Sequence, residues 1–260
     1  MKAFSFGSWV FRSCRSFLLV VLFGFVLFSF PRPVFAMHIM EGFLPPRFCL
    51  FWYGVYLPFL LLGLWTIRKR LAENPSYKVV FGFVTAFVFV LSALKLPSVT
   101  GSSSHPTGVG LGAILFGPLP MAVSGCIVLL FQALLLAHGG LTTLGANSFS
   151  MGVVGPLVSY GLYRLILACR VSRTAAVFVA ASLGDLATYV VTSFQLAWAF
   201  PAPQGGVLTS FSRFMGVFAI TQVPLALAEG ALTVMVLRLL EERMGGQVEK
   251  MVFGGVTHGR

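Results

Sequence analysis

Apolar residues run along this chain in long blocks, joined by short polar or glycine- and proline-rich stretches, with no two-residue alternation. An opening block at 17–30 ends at Pro31-Arg32-Pro33. Seven further blocks follow, at 48–67, 79–96, 107–116, 119–137, 149–168, 175–200 and 211–240. Most approach the roughly 20 residues a helix needs to cross a bilayer. The pattern therefore predicts an all-α integral membrane protein with seven transmembrane helices after the opening block. The third block is too short to cross alone at about 1.5 Å per residue. Its Gly108-Val-Gly-Leu-Gly112 run predicts close packing on another helix.

The opening block has the three parts of a secretory signal. Lys2, Arg12 and Arg15 precede it without an acid, the middle is apolar, and Val34 and Ala36 stand at the −3 and −1 positions of a signal-peptidase site. The expected organisation is a signal peptide over 1–36, a membrane domain over 37–243 and a glycine-rich tail over 244–260. Translation starting at Met37 would leave the same chain end, and an uncleaved first helix is the competing reading.

Composition agrees with a membrane location, with 57% hydrophobic and only 10% charged residues. The net charge of +11 does not point to nucleic acid, because its cations fall in short joints beside the apolar blocks. With Met37 delivered outside, Arg68, Lys69, Arg70, Lys78, Arg164, Arg170, Arg173, Arg238, Arg243, Lys250 and Arg260 all lie on the cytoplasmic side. Only Arg47, Lys95 and Arg213 fall on or near the outer side. The positive-inside rule thus predicts an external mature N-terminus and a cytoplasmic C-terminus. The four cysteines form no C-x-x-C pair.

A cut after Ala36 would expose the amine of Met37 one residue before His38. The amine, the His38 amide nitrogen and its imidazole Nδ1 can close a five- and a six-membered ring on one metal ion. His105, beside Pro106 in an outer joint, is the leading donor of a fourth nitrogen. Such a planar set suits Ni²⁺, Cu²⁺ or Co²⁺ better than Zn²⁺. The plainer alternatives are an exposed terminal residue for His38, a hydrogen-bonding loop residue for His105 and a helix C-terminal residue for His138. Glu41, Ser103 and His138 are candidates to support the ligands from behind. Asp185 and Glu229 fall inside apolar blocks, as helix glue or an ion path, with Gln195, Gln222 or Thr188 as partners. His258 lies in the tail, on the wrong side. No H-E-x-x-H, G-x-S-x-G or G-x-x-x-x-G-K-[ST] pattern occurs. The chain is therefore expected not to be an enzyme, and ATP coupling would come from a partner.

Several long motifs resemble the CbiM/NikM family. They are Met37-His-Ile-Met-Glu-Gly-Phe-Leu-Pro45, Leu94-Lys-Leu-Pro-Ser-Val-Thr-Gly101, Ser104-His-Pro-Thr-Gly108, Gln132-Ala-Leu-Leu-Leu-Ala-His-Gly-Gly-Leu-Thr-Thr-Leu-Gly-Ala-Asn147 and Ala181-Ser-Leu-Gly-Asp-Leu-Ala-Thr-Tyr-Val190. The likeness runs from about Met37 to Leu240 and is strongest to the cobalt branch. It implies the substrate-capture subunit of an energy-coupling factor transporter that imports cobalt(II) for cobalamin biosynthesis. A nickel(II)-selective member is the alternative within the family, and a stand-alone cation channel or carrier is the alternative outside it. The resemblance also implies metal ligation by Met37, His38 and His105. Its implied partners are a small CbiN-like membrane subunit, a CbiQ-like coupling subunit and a CbiO-like ATPase in the cell membrane. Ser103 stands where the family loop often carries cysteine, which argues against a thiolate ligand.

Overall fold

The computed structural model describes residues 38–97 and 103–244. The expected signal peptide, Met37, His258 and the tail beyond Met244 lie outside the described residues. So does the side chain of Ser103.

The described chain is almost wholly helical. Helix α1 spans Pro46–Glu73 and α2 spans Tyr77–Ala93. A two-residue antiparallel pair follows, β1 (Leu96–Pro97) with β2 (Ser103–Ser104), in which Pro97 faces Ser103. Helix α3 is Val109–Phe116 and α4 is Pro118–Leu136. Helix α5 (Leu144–Ser148) continues through a π-helical turn at Phe149–Val154 into α6, Gly155–Ala168. The last two helices are α7 (Arg173–Ala199) and α8 (Gly206–Met244).

Five of these elements are long and apolar enough to cross a membrane: α1, α4, the continuous Leu144–Ala168 segment, α7 and α8. Helix α2 is apolar but has only 17 residues. Helix α3 has 8, all of them buried. The short third block is thus a helix inside the protein. Gly108, at φ 71°, turns the chain into it, and Pro118 opens α4 directly after Gly117. At Gly110 a Cβ would stand 2.8 Å from Cα of Ala181, so only glycine lets α3 and α7 approach this closely.

Burial is inverted relative to a water-soluble domain. Leu50, Leu57, Leu61 and Trp65 of α1 and Leu208, Ile220 and Met235 of α8 face outward. Gln132, Asp185, Gln195, Gln222 and Glu229 are buried. Apolar exteriors around polar interiors are what a bilayer solvent selects. One apolar cluster joins Tyr77, Phe116, Tyr163, Leu237 and Leu240. A second joins Phe48, Trp52, Tyr189, Leu196 and Phe218, and it receives Ile39 and Leu44 from the segment before α1. That insertion positions the site.

Candidate metal centre

The segment 38–45 has no regular structure of its own, so its backbone groups must find partners elsewhere. Ile39 N–H donates to Asn147 Oδ1 at 2.9 Å, and Asn147 Nδ2 donates back to the Ile39 carbonyl at 3.0 Å. Thr143 Oγ1 donates to the same carbonyl at 2.7 Å. Glu41 N–H donates to the Gly139 carbonyl at 3.1 Å, and Thr142 N–H donates to the Glu41 carboxylate at 3.1 Å. The hydrogen bonds from Thr142 hold the Glu41 carboxyl below its usual range, so it stays ionised. With the Ile39 side chain buried as well, His38 is positioned by the residue that follows it.

Three imidazoles meet there. His38 lies 4.5 Å from His105 and 4.7 Å from His138 between ring centroids, and the last two lie 5.3 Å apart. All three are buried, with potential ligand atoms within 4.8 Å of one another. His105 arrives from the joint after β2. His138 arrives because Ala137 takes a left-handed conformation at the end of α4 and folds the next residue back, its N–H donating to the Gln132 carbonyl at 3.1 Å.

Hydrogen bonds select which nitrogen two of the rings offer. His105 Nδ1 lies 3.1 Å from the Pro106 carbonyl, which can only accept, so Nδ1 carries the proton. His38 Nε2 lies 3.4 Å from the buried Met151 sulfur, a weak acceptor. That leaves His38 Nδ1, His105 Nε2 and His138 Nε2, each buried with no partner among the described residues. Orphaned buried polar atoms are rare, and three converging lone pairs make a cation-binding set. Burial pushes His105 down to about 4 and His138 to about 3, and lowers His38 well below its ordinary value. The nearby Lys95 lowers all three further. The imidazoles are therefore neutral at pH 7, the form a metal needs.

A polar chain beneath the cluster grips the His105 loop. Gln222 Nε2 donates to the His105 carbonyl at 3.2 Å and to Asp185 Oδ2 at 2.6 Å. Glu229 accepts from Thr107 N–H at 2.5 Å and from Thr107 Oγ1 at 3.0 Å. The backbone on both sides of Pro106 is thus tied to α7 and α8.

Of the sequence-expected residues, the structure brings His38, His105 and His138 together and sets Glu41 on the adjoining loop. His138 is as central as His105, although the helix-end reading is the plainer one for its sequence position. Asn147, Thr143 and Met151 were not expected from the sequence. Asn147 ends a polar run where a buried amide is a usable signal, whereas Met151 sits in an apolar block and carries none.

Residues 38–245 match the family model described as "Cobalt uptake substrate-specific transmembrane region". The chain belongs to the CbiM family. A cobalt transport protein CbiM from Thermosediminibacter oceani is 63% identical over 224 residues, spanning 86% of this chain and 92% of that protein. The CbiM of Limosilactobacillus reuteri is 55% identical over 233 residues, with 89% and 94% covered. A crystal structure titled as a transition metal transporter superposes with a TM-score of 0.69 at 25% identity, covering 84% of this chain and 98% of that one. A truncated transition metal transporter gives 0.67 at 26% identity, covering 79% and 99%. The CbiM match spans every element of the imidazole cluster.

Proposed function

We propose that this chain is the substrate-capture membrane subunit of an ATP-driven, energy-coupling factor importer of cobalt(II), feeding cobalamin biosynthesis. The carrying observation is the convergence of three buried imidazole nitrogens that have no partner among the described residues. Family membership supports cobalt as cargo.

On this reading residues 1–36 are removed and the mature chain crosses the membrane seven times, N-terminus outside and C-terminus in the cytoplasm. The Met37 amine, the His38 amide nitrogen and Nδ1, and His105 Nε2 take the ion as it sheds its water. A free α-amine with a pKa of about 7.7–8.0 yields its proton to a metal easily near neutral pH. ATP hydrolysis belongs to a CbiO-like partner, acting through a CbiQ-like subunit with a CbiN-like small subunit. Withdrawal of segment 38–45 would open the chelate for release, since that segment is held by a few hydrogen bonds to residues 139–147.

The test is the insertion of one residue between Ala36 and Met37, with N-terminal sequencing and cobalt content measured on the purified protein. Loss of bound cobalt is expected. Full cobalt loading with the displaced amine, or a purified wild-type chain that still begins at Met1, would falsify this assignment. Competition with nickel in the same assay separates cobalt from nickel selectivity.

A further inference from the structure

The four-nitrogen chelate leaves one imidazole over, and the ring orientations say where it belongs. We infer that His138 is an apical fifth ligand that tilts the site toward cobalt(II) over nickel(II). This rests on the proposed ligation by Met37, His38 and His105. A chelating His38 ring is fused through two small rings to its own amide and the terminal amine, so it lies close to the basal plane of those donors. An apical imidazole contains the axis perpendicular to that plane, so its ring must stand steeply on the His38 ring. His138 is inclined 66° to His38 and 75° to His105, whereas His38 and His105 are inclined by only 40°. The 66° inclination of His138 to His38 is the steep one that an apical ring requires. Its Nε2 is buried, has no partner among the described residues and lies within ligand range of the other two.

The electronic consequence follows from electron count. Low-spin cobalt(II) has seven d electrons and a single electron in the orbital along the apical axis, so one apical nitrogen binds well. Low-spin nickel(II) has eight, with that orbital filled, and an apical donor is repelled. At a common set of nitrogen donors the affinity order alone favours nickel. An apical imidazole supplies the bias that four basal nitrogens lack.

The experiment is low-temperature electron paramagnetic resonance on the purified full-length protein loaded anaerobically with Co²⁺ alone. The expected wild-type spectrum is low-spin cobalt(II) with its axial lines split into triplets by one apical nitrogen. His138→Ala should lose the triplets, and free imidazole should restore them, which a misfolded chain could not do. The cobalt-over-nickel preference should fall about tenfold in the same variant. A low-spin wild-type spectrum without triplets overturns the role of His138 whatever the variant does, and so does a triplet that survives in His138→Ala. A high-spin wild-type spectrum overturns the basal chelate itself and with it the apical assignment. The spectra therefore distinguish the two failures.

Discussion

The Asn147 carboxamide holds Ile39 by both of its backbone polar groups, accepting from its N–H at 2.9 Å and donating to its carbonyl at 3.0 Å. One side chain thus does for the N-terminal segment what a neighbouring strand does in a sheet. Asn147 stands at the end of α5 and is itself buried, so the anchor belongs to the helix bundle.

Asn147→Ala should detach His38 from its position without unfolding the bundle. Thr143 Oγ1 still reaches the Ile39 carbonyl, but the Ile39 N–H is left buried without an acceptor. The cost of that unpaired group is about 1–3 kcal/mol. Cobalt affinity should fall about 10- to 100-fold by equilibrium titration. Asn147→Asp keeps the acceptor and loses the donor, so it should sit between the two. Wild-type affinity in Asn147→Ala would show that the anchor is dispensable.

The pH dependence of the metal-free protein follows from the buried rings. In the unfolded chain their pKa is the ordinary 6.5, while in the folded protein His105 is lowered to about 4 and His138 to about 3. Between those values the unfolded state binds more protons, so acid favours unfolding. The contribution is complete above 6.5 and is lost as pH falls toward 4 for His105 and 3 for His138. Each ring is expected to cost about 1.4 kcal/mol per pH unit in that window, as an order of magnitude. Melting of the detergent-solubilised apoprotein should therefore drop progressively below pH 6.5, and His105→Gln should flatten the slope. Cobalt affinity should show no break at 6.5, because the folded rings are already neutral there. The break should come at about 7.7–8.0, where an α-amine titrates.

The apolar blocks anticipated the helices well where sequence-local forces decide. The block at 119–137 is Pro118–Leu136, and that at 79–96 is Tyr77–Ala93. His38 and His105 were legible as candidate ligands because position and neighbouring residues single them out, and the structure brings their rings together. The start of helix at Leu144, inside a stretch that reads as an outer loop, was not legible. It is fixed by distant packing, including Gly145 lying against Tyr53, where a Cβ would come within 2.8 Å of Tyr53 Cα. The inward turn of His138 depends on the backbone of Ala137, which no side-chain pattern announces. The long-range pairing of Met151 with His38 is likewise invisible to periodicity.

Gln222 links the His105 carbonyl to Asp185, so Gln222→Leu should leave both acceptors without that donor. The expected result is about tenfold weaker cobalt binding from a protein that still folds. Asp185→Asn keeps an oxygen for Gln222 and should retain uptake within a few-fold of wild type, as an order-of-magnitude expectation for a hydrogen-bond change of this size. Uptake measured in cells decides between this and a channel. Abolished transport in Asp185→Asn, with cobalt binding intact, would make the carboxylate part of an ion path.

Met151→Leu isolates the weakest contact at the site. Leucine fills nearly the same volume, so stability should change by less than about 1.5 kcal/mol. The His38 Nε2–H then loses its acceptor sulfur, which stands 3.4 Å away. The ring becomes freer to place its proton on Nδ1, the nitrogen that closes the six-membered chelate ring. Cobalt affinity should fall by several-fold to about tenfold, while His105→Ala should lose most binding. Nitrogen-15 NMR of labelled histidine in the apoprotein reads the tautomer directly. A wild-type His38 with its proton on Nδ1 would contradict the assignment, whereas a shift toward that form only in Met151→Leu would show the thioether setting the ligand.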